Sequence, residues 1–339
     1  MRWLGEAVAE VAFWATRYRR LRGIDLLIVA GSNQLSDYFG GPWVFPYSVF
    51  AWSAAARLAG TRVAFLSVGA GPIRSPLSRY FIRTALGWSA YRSHRDVGSR
   101  DTIKALGVRG PHRVAPDLAQ GLRIHVPPSP PSPTTGRRTV VVNPLPYFDP
   151  RYWAERDQAV YARYVDLLAA LAGALLDRGH RVRFAPTQLR ADPPVIADVL
   201  RALGRRSAED EPHDRIDPPV ATFEDLIALL AEADVVVATR FHGVVLAQML
   251  GKPTIGIAYR RSTTDLLVDV GQGAYAIDIA ELTLSGLMER LDALETDRGA
   301  AERIAVRMKA FREALAAQYD LVLGTAEGRA GLGRSISSG

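Results

Sequence analysis

Short apolar runs, each ending in a polar or glycine-bearing turn, alternate along this chain with segments that carry apolar residues at helical spacing. Strands buried on both faces read as near-continuous apolar runs, and the helices that cover them supply the alternation. The pattern therefore points to an α/β protein with parallel sheets packed on both sides. In the first half, Ile24–Ala30 (IDLLIVA) ends in Gly31-Ser32-Asn33, and Arg62–Val68 (RVAFLSV) ends in Gly69-Ala70-Gly71-Pro72. Phe45–Ala59, Arg79–Trp88 and Asp96–Leu106 read as helices, and Arg113–Ala115 as a short strand before Pro116-Asp117. The second half repeats the rhythm with strands at Thr139–Asn143, Arg181–Ala185, Asp234–Thr239 and Thr254–Ala258. Helices are expected at Ala159–Arg178, Pro194–Leu203, Phe223–Ala231, Gly243–Leu250, Leu282–Leu294 and Arg298–Leu323, with a polar loop at Arg205–Asp217.

A chain of 339 residues is long for one core, so two domains are expected. Pro127–Pro133 (PPSPPSP) favours extended backbone and cannot continue a helix or a central strand. The expected division is 1–126 as the first domain, 127–138 as a linker, 139–323 as the second domain and 324–339 as a loose tail. The expected architecture is two Rossmann-like, doubly wound domains facing across a cleft.

Composition narrows the function. Hydrophobic residues make up 48% and charged residues 23%, as in a soluble globular protein. The longest apolar candidate noted, Gly243–Gly251, falls well short of the roughly 20 residues that span a bilayer. With no cysteine there is no disulfide, thiolate nucleophile or Cys-based zinc site. Glu6 and Glu10 interrupt the N-terminal apolar segment, so it does not read as a secretory signal, and a cytoplasmic protein is expected. Trp3, Trp14, Arg19, Arg20 and Arg22 resemble an interfacial set, which leaves weak peripheral contact with the inner face of a membrane beside the ordinary alternative of packing on the helix's own domain. The net charge of +7 comes largely from arginine, spread along the chain among acids rather than gathered with stacking aromatics, so nucleic acid is not an expected partner.

In open parallel sheets ligands bind beyond the carboxyl ends of strands, where helix N-termini present N–H groups. Arg240 stands at such an end, and His242 falls in the first turn of the next helix. A guanidinium grips phosphate or carboxylate with paired hydrogen bonds, and an imidazole exchanges protons near neutral pH. Gly243 would let backbone approach a ligand. The bland alternative pairs Arg240 with an acid and makes His242 a cap. Arg95 ends a second strand, with Asp96 placed to cap the helix after it. Asn33, Gln34, Asp37 and Gly71 sit on two further strand exits, where tight turns explain them as well as sugar binding does. No dinucleotide fingerprint, P-loop or metal-ligand spacing is present, so no metal or cofactor is expected. His180 reads as a surface residue, His112, His125 and His213 as loop residues, and His94 as a minor candidate beside Arg95.

Taken in order, these residues resemble the polysaccharide pyruvyl transferase family. The matching pieces are Asp25–Gly31, Val68–Pro72, Ser93–Asp96 with Ser99, Leu106–Val108, Pro116-Asp117, Ala233–Gly243, Gly251–Pro253 and Tyr259. The resemblance implies a glycosyltransferase-B-like fold and transfer of pyruvate from phosphoenolpyruvate, as co-substrate, onto two hydroxyls of a sugar, with a cyclic ketal and phosphate as products. It implies exopolysaccharide or cell-envelope biosynthesis, with a polysaccharide or a lipid- or nucleotide-linked sugar as acceptor. It makes His242 the proton-transfer residue and sets Arg240 and Arg95 on the donor. The first domain would take the acceptor and the second the donor.

Two departures stand out. Relatives carry a lysine shortly after the tyrosine matching Tyr259; here Arg260 and Arg261 follow, so either one of them serves in its place or the donor site is altered. Relatives also begin with a strand and a Gly-Asn-rich loop ahead of the Asp25 segment, so a first strand is expected to be lacking. A nucleotide-sugar glycosyltransferase of the same architecture, or a sugar-binding remnant without catalysis, are the competing readings.

Overall fold

Each apolar run of the first half becomes a parallel strand. In the computed structural model, which describes residues 2–38, 40–124, 137–153, 155–204 and 220–333, the chain forms two compact units. The first comprises residues 1–121 together with 311–339, and the second residues 122–310.

The first unit opens with α1 (Arg2–Leu21), followed by β1 (Leu26–Val29), α2 (Phe45–Ala59), β2 (Arg62–Val68), α3 (Pro76–Gly87), β3 (Tyr91–His94), α4 (Val97–Ala105) and β4 (Arg113–Val114). The strands pair in the order β1-β2-β3-β4, all parallel, with Ile28 opposite Ala64 and His94 opposite Val114. Asp96 caps α4 as its position suggested, accepting from Ser99 N–H at 2.6 Å. The core lies where Val63, Phe65 and Val68 of β2 meet Ile82, Ala85 and Leu86 of α3 and Val49, Ala55 and Ala56 of α2.

The second unit contains β5 (Thr139–Asn143), α5 (Gln158–Asp177), β6 (Arg181–Phe184), α6 (Asp192–Gly204), α7 (Phe223–Ala231), β7 (Val235–Ala238), α8 (Phe241–Met249), β8 (Thr254–Ala258), α9 (Arg261–Asp269), β9 (Ala276–Asp278) and α10 (Leu284–Thr296). Strand order is β6-β5-β7-β8-β9, again wholly parallel. The chain thus turns one way from β5 to β6 and the other way from β7 onward, and the carboxyl ends of β5 and β7 flank the point of reversal. Val140, Val142, Val235, Val237, Ile255 and Ile257 are buried against α5, α6 and α10. Thr222 and Asp225 close a reciprocal capping box at the start of α7.

The last helix, α11 (Ala300–Gly333), begins in the second unit and continues in the first. Its Gln318 is buried, accepting from Ser93 Oγ at 2.6 Å and Tyr91 Oη at 3.2 Å. The residues from Phe311 on therefore group with the first unit rather than with 139–323, because their partners are strand residues far back in sequence. The helix also runs through residues 324–333, where the sequence suggested a loose tail. The proline-rich segment, apart from Arg137 and Arg138, and the Arg205–Asp217 loop lie outside the described residues.

Some elements differ from the sequence reading. β9 and α9 carry too little apolar periodicity to stand out, and both are packed against β8. Among the described residues α5, expected as a helix from the sequence, is also long and apolar enough to cross a membrane by length and composition, longer than the Gly243–Gly251 run named above. Here Tyr161, Leu168, Leu171, Ala172 and Leu175 bury it in the core of the second unit.

His94 and His112 form a stacked pair. His94 Nε2 lies 3.2 Å from His112 Nδ1, and His112 Nε2 lies 2.9 Å from the Val108 carbonyl. Burial, followed by the neighbouring His112, pulls His94 down to about 4. An unfolded chain takes up this proton near 6.5, so protons favour unfolding between those two values. Stability from this group should be fully present above pH 6.5 and fall by on the order of 3 kcal/mol as pH drops to about 4. Thermal midpoints measured across that window should decline steeply in the wild type and less steeply in His94→Gln.

Candidate active site

Thr239 and Arg240 emerge from β7 beside the end of β5. Thr239 N–H donates to the Asn143 carbonyl at 2.9 Å, and its hydroxyl lies 2.7 Å from Tyr164 Oη. Tyr164 is buried, which pushes its phenol up to about 12, so it stays a neutral hydrogen-bonding group. Its hydroxyl also accepts Leu145 N–H at 3.2 Å, tying the loop after β5 to the loop after β7.

Arg240 is the N-cap residue of α8, in extended backbone. Its Nε donates to Asp192 Oδ1 at 3.0 Å, and Nη2 donates both to Asp192 and to Gln188 Oε1, the latter at 2.8 Å. Asp192, at the start of α6, is wholly buried and also accepts the N–H groups of Thr187 at 2.9 Å and Gln188 at 2.8 Å. One edge of the guanidinium is thereby committed, while Nη1 has no partner among the described residues. Pairing with an acid, the bland expectation for Arg240, is thus present, and it fixes the arginine in one orientation.

His242 lies exposed in the first turn of α8, its ring edge-on to Phe241 with centroids 5.5 Å apart. Gly243 is buried, and a Cβ there would meet Asn143 Oδ1 at 2.0 Å. The glycine is required by the close approach of the Asn143 amide, not by open space for a ligand. Asn143 is itself held by donation to the Ala185 carbonyl at 2.6 Å, and its Oδ1 is buried without a hydrogen bond.

At the end of the neighbouring strand β8, Arg260 lies over the Tyr259 ring at 5.4 Å, and Tyr259 meets Trp153 edge-on. Arg261 is 89% exposed and pairs with Asp265 one turn along α9, at 3.5 Å. Of the two arginines, Arg260 stays beside Tyr259 and Arg261 turns outward.

In the first unit, Arg95 follows β3 directly. Its guanidinium lies against Gly69, where a Cβ would come within 2.6 Å of Nε. Nε is 3.6 Å from Asp96 Oδ2 and Nη1 is 3.7 Å from Asp117 Oδ2. Ser99 joins these loops, donating to Asp96 at 2.9 Å and accepting Ala70 N–H at 2.9 Å. Asn33, Gln34, Asp37 and Gly71 occupy two loops that continue the β1–β2 pairing, with Gly71 N–H donating to Leu35 O at 3.0 Å. Asn33 and Gln34 are half-buried. Asp37 is nearly buried and has a backbone task, accepting Arg74 N–H at 2.9 Å and Ser75 N–H at 2.8 Å. Burial would raise its carboxyl, but the Ser75 and Arg74 N–H groups outweigh that and hold it below its ordinary value. His180 is buried rather than superficial, with Nδ1 accepting Arg138 N–H at 3.3 Å. His125 and His213 lie outside the described residues. Among the described residues, no group of three or more His, Asp or Glu is gathered to hold a metal ion.

A model of the polysaccharide pyruvyl transferases matches residues 6–261, most of the chain and all of the strand ends just described. The chain belongs to the polysaccharide pyruvyl transferase family. A search of curated proteins finds no match. Solved structures agree on the fold at low identity. A putative UDP-N-acetylglucosamine 2-epimerase from Listeria monocytogenes superposes with a TM-score of 0.60 at 12% identity, over 92% of this chain and 80% of that one. An α,α-trehalose-phosphate synthase (UDP-forming) from Burkholderia xenovorans gives 0.56 at 13%, over 93% and 78%. The UDP-GlcNAc 2-epimerase from Neisseria meningitidis gives 0.54 at 9%, over 88% and 76%. The shared architecture is of the glycosyltransferase B type.

In this pyruvyl transferase family member, the residues that hold Arg240 and the loop before it, Asn143, Asp192, Gln188 and Tyr164, were not singled out in the sequence. Asn143 had left a trace, a polar residue closing the apolar run TVVVN. Asp192 had none, since an acid at a helix start is ordinary. Two substitutions test this support. Gly243→Ala should destabilise the second unit by about 1–3 kcal/mol through overpacking against Asn143, measured as the shift in urea midpoint. Asp192→Asn, which uncouples a buried carboxylate from Arg240, should cost about 3–5 kcal/mol in the same measurement.

Proposed function

We propose that this family member is a phosphoenolpyruvate-dependent ketal pyruvyltransferase acting on a sugar of a polysaccharide or of its lipid- or nucleotide-linked precursor. The observation that carries the reading is the pairing of an oriented Arg240 with an exposed His242 at the point where the strand order of the second unit reverses. Phosphoenolpyruvate has two anionic groups, and fixed guanidiniums neutralise such charge without reorganising during the reaction. Arg240 offers Nη1, Arg260 stands in for the family's lysine, and Arg95 takes the donor role that the resemblance gives it.

Protonation of the donor methylene leaves a cation at C2, which a sugar hydroxyl attacks while His242 accepts the hydroxyl proton. Phosphate then leaves with the C2–O bond electrons, and a second hydroxyl of the same sugar closes the ketal at C2, its proton passing to the departed phosphate. No redox change occurs.

The test uses the whole chain, phosphoenolpyruvate and a panel of bacterial glycans and lipid-linked sugars, reading phosphate release and the ketal carbon by NMR. Turnover should fall about 10²–10⁴-fold in His242→Ala with the thermal midpoint unchanged. Arg240→Lys should weaken phosphoenolpyruvate binding more than it weakens acceptor binding. Thermal stabilisation by a nucleotide sugar and not by phosphoenolpyruvate would overturn the proposal.

A further inference from the structure

The interleaving of acids with arginines breaks over one long stretch of the first unit. Between Asp37 and Asp96 run 58 residues without an Asp or Glu, holding seven arginines and twelve aromatic residues. This stretch supplies an outer layer of the first unit, in which the 3-10 turn Gly41–Trp43 leads into α2, and α2 packs on α3.

Its aromatic side chains form a continuous ridge. Trp43 lies 5.6 Å from Tyr47 and 5.9 Å from Phe81, while Phe50 lies 4.9 Å from Phe81, 6.1 Å from Tyr80 and 5.7 Å from Trp88. The ridge is not closed over: Trp43 is 65% exposed, Tyr80 57% and Leu58 71%, with Val44 and Phe45 exposed beside them. Arginines border it. Arg57 sits over the Trp88 ring at 5.8 Å. On α3, Arg83 stands one turn after Tyr80 and Arg79, Arg79 Nε donates to the Ile73 carbonyl at 3.2 Å, and Arg74 precedes the helix. All four are exposed, and none of their guanidiniums is in a salt bridge among the described residues, although the Arg74 backbone N–H donates to Asp37. At the rim, the Tyr47 hydroxyl donates to Glu10 of α1 and accepts Trp14 Nε1–H at 3.2 Å, so Trp14 packs against α2.

Large exposed aromatic patches on a folded unit mark a contact surface. Trp and Tyr rings with apolar bodies and polar tips suit the boundary between headgroups and acyl chains, and arginine stems lie along such a boundary with the charge outward. The lack of any acid across 58 residues leaves Glu10, bonded to Tyr47 at the rim, as the acid that the ridge contacts, so little on the ridge itself would repel an anionic leaflet. We propose that this face docks the first unit on an anionic lipid bilayer, with Trp43 and Tyr80 entering the headgroup layer and Arg57, Arg74, Arg79 and Arg83 facing lipid phosphates. The surface differs from the N-terminal Trp–Arg set noted in the sequence. It is independent of pyruvyl transfer, since none of these residues belongs to the candidate active site.

Co-sedimentation of the whole chain with vesicles tests it, comparing phosphatidylcholine alone with phosphatidylcholine containing phosphatidylglycerol, at low and high salt. The wild type should bind the anionic vesicles and release as salt rises. Each arginine near the surface contributes about fivefold, so Arg57→Gln/Arg79→Gln/Arg83→Gln should bind about a hundredfold more weakly. Trp43→Ala/Tyr80→Ala should lose the residual binding at high salt, with thermal midpoints unchanged in both variants. Should the triple variant fail to fold, Arg79→Gln and Arg83→Gln alone should each show the fivefold loss. Absence of wild-type binding, or binding that neither set of substitutions weakens, overturns the proposal. So does heparin binding without vesicle binding, or a dimer abolished by Trp43→Ala in a protein that ignores vesicles.

Discussion

A carboxylate without solvent exposure organises the second unit's strand ends. Asp192 accepts two backbone N–H groups from the loop after β6 and binds the guanidinium of Arg240 from the loop after β7. A buried carboxylate is costly to leave unpaired, so Arg240 is held where Asp192 needs it. The same interaction that neutralises the acid aims the remaining N–H edge of the guanidinium and brings α8 into place with His242 on its first turn. Stability and the presentation of the candidate catalytic groups therefore depend on one contact.

Parallel packing explains why these groups gather where they do. Strands buried on both faces admit almost only apolar side chains along their length, and polar residues collect at the carboxyl ends. Asn143 closes β5, Thr239 and Arg240 close β7, and Tyr259 and Arg260 close β8. In the first unit, Arg95 and Asp117 follow β3 and β4. The loops at these ends carry little hydrophobic burial of their own, so side chain to backbone hydrogen bonds hold them, with Asp37 bridging to Arg74 and Ser75 and Ser99 to Ala70.

Much of this was legible in the sequence. The runs from Thr139 and Thr254 and the helices Phe45–Ala59 and Phe223–Ala231 appear with the bounds their periodicity suggested, because burial on a sheet or helix face writes itself into local spacing. Arg240 was visible at the end of an apolar run, His242 in the first turn of the helix after it, and Arg95 at the end of a short polar strand. β9 and α9 were not, since three strand residues and a helix rich in Thr and Asp show no such spacing. Asp192 and Gln188 were invisible for another reason: their importance lies in residues 48 and 52 positions away in the chain. The C-terminal helix misled the domain division because Gln318 finds its partners more than 200 residues back.

By itself, then, the sequence determined the class of fold, the strand ends that could carry chemistry, and the identity of the arginines and histidine there, since all of these follow from local patterns of burial and polarity. Tertiary structure decided the strand order that puts β5 beside β7, the partner that orients Arg240, and the side chain that makes Gly243 indispensable. It also decided which unit the last helix serves and which of the many arginines stand exposed along an aromatic ridge. These depend on contacts between residues distant in the chain, and no local pattern records such contacts.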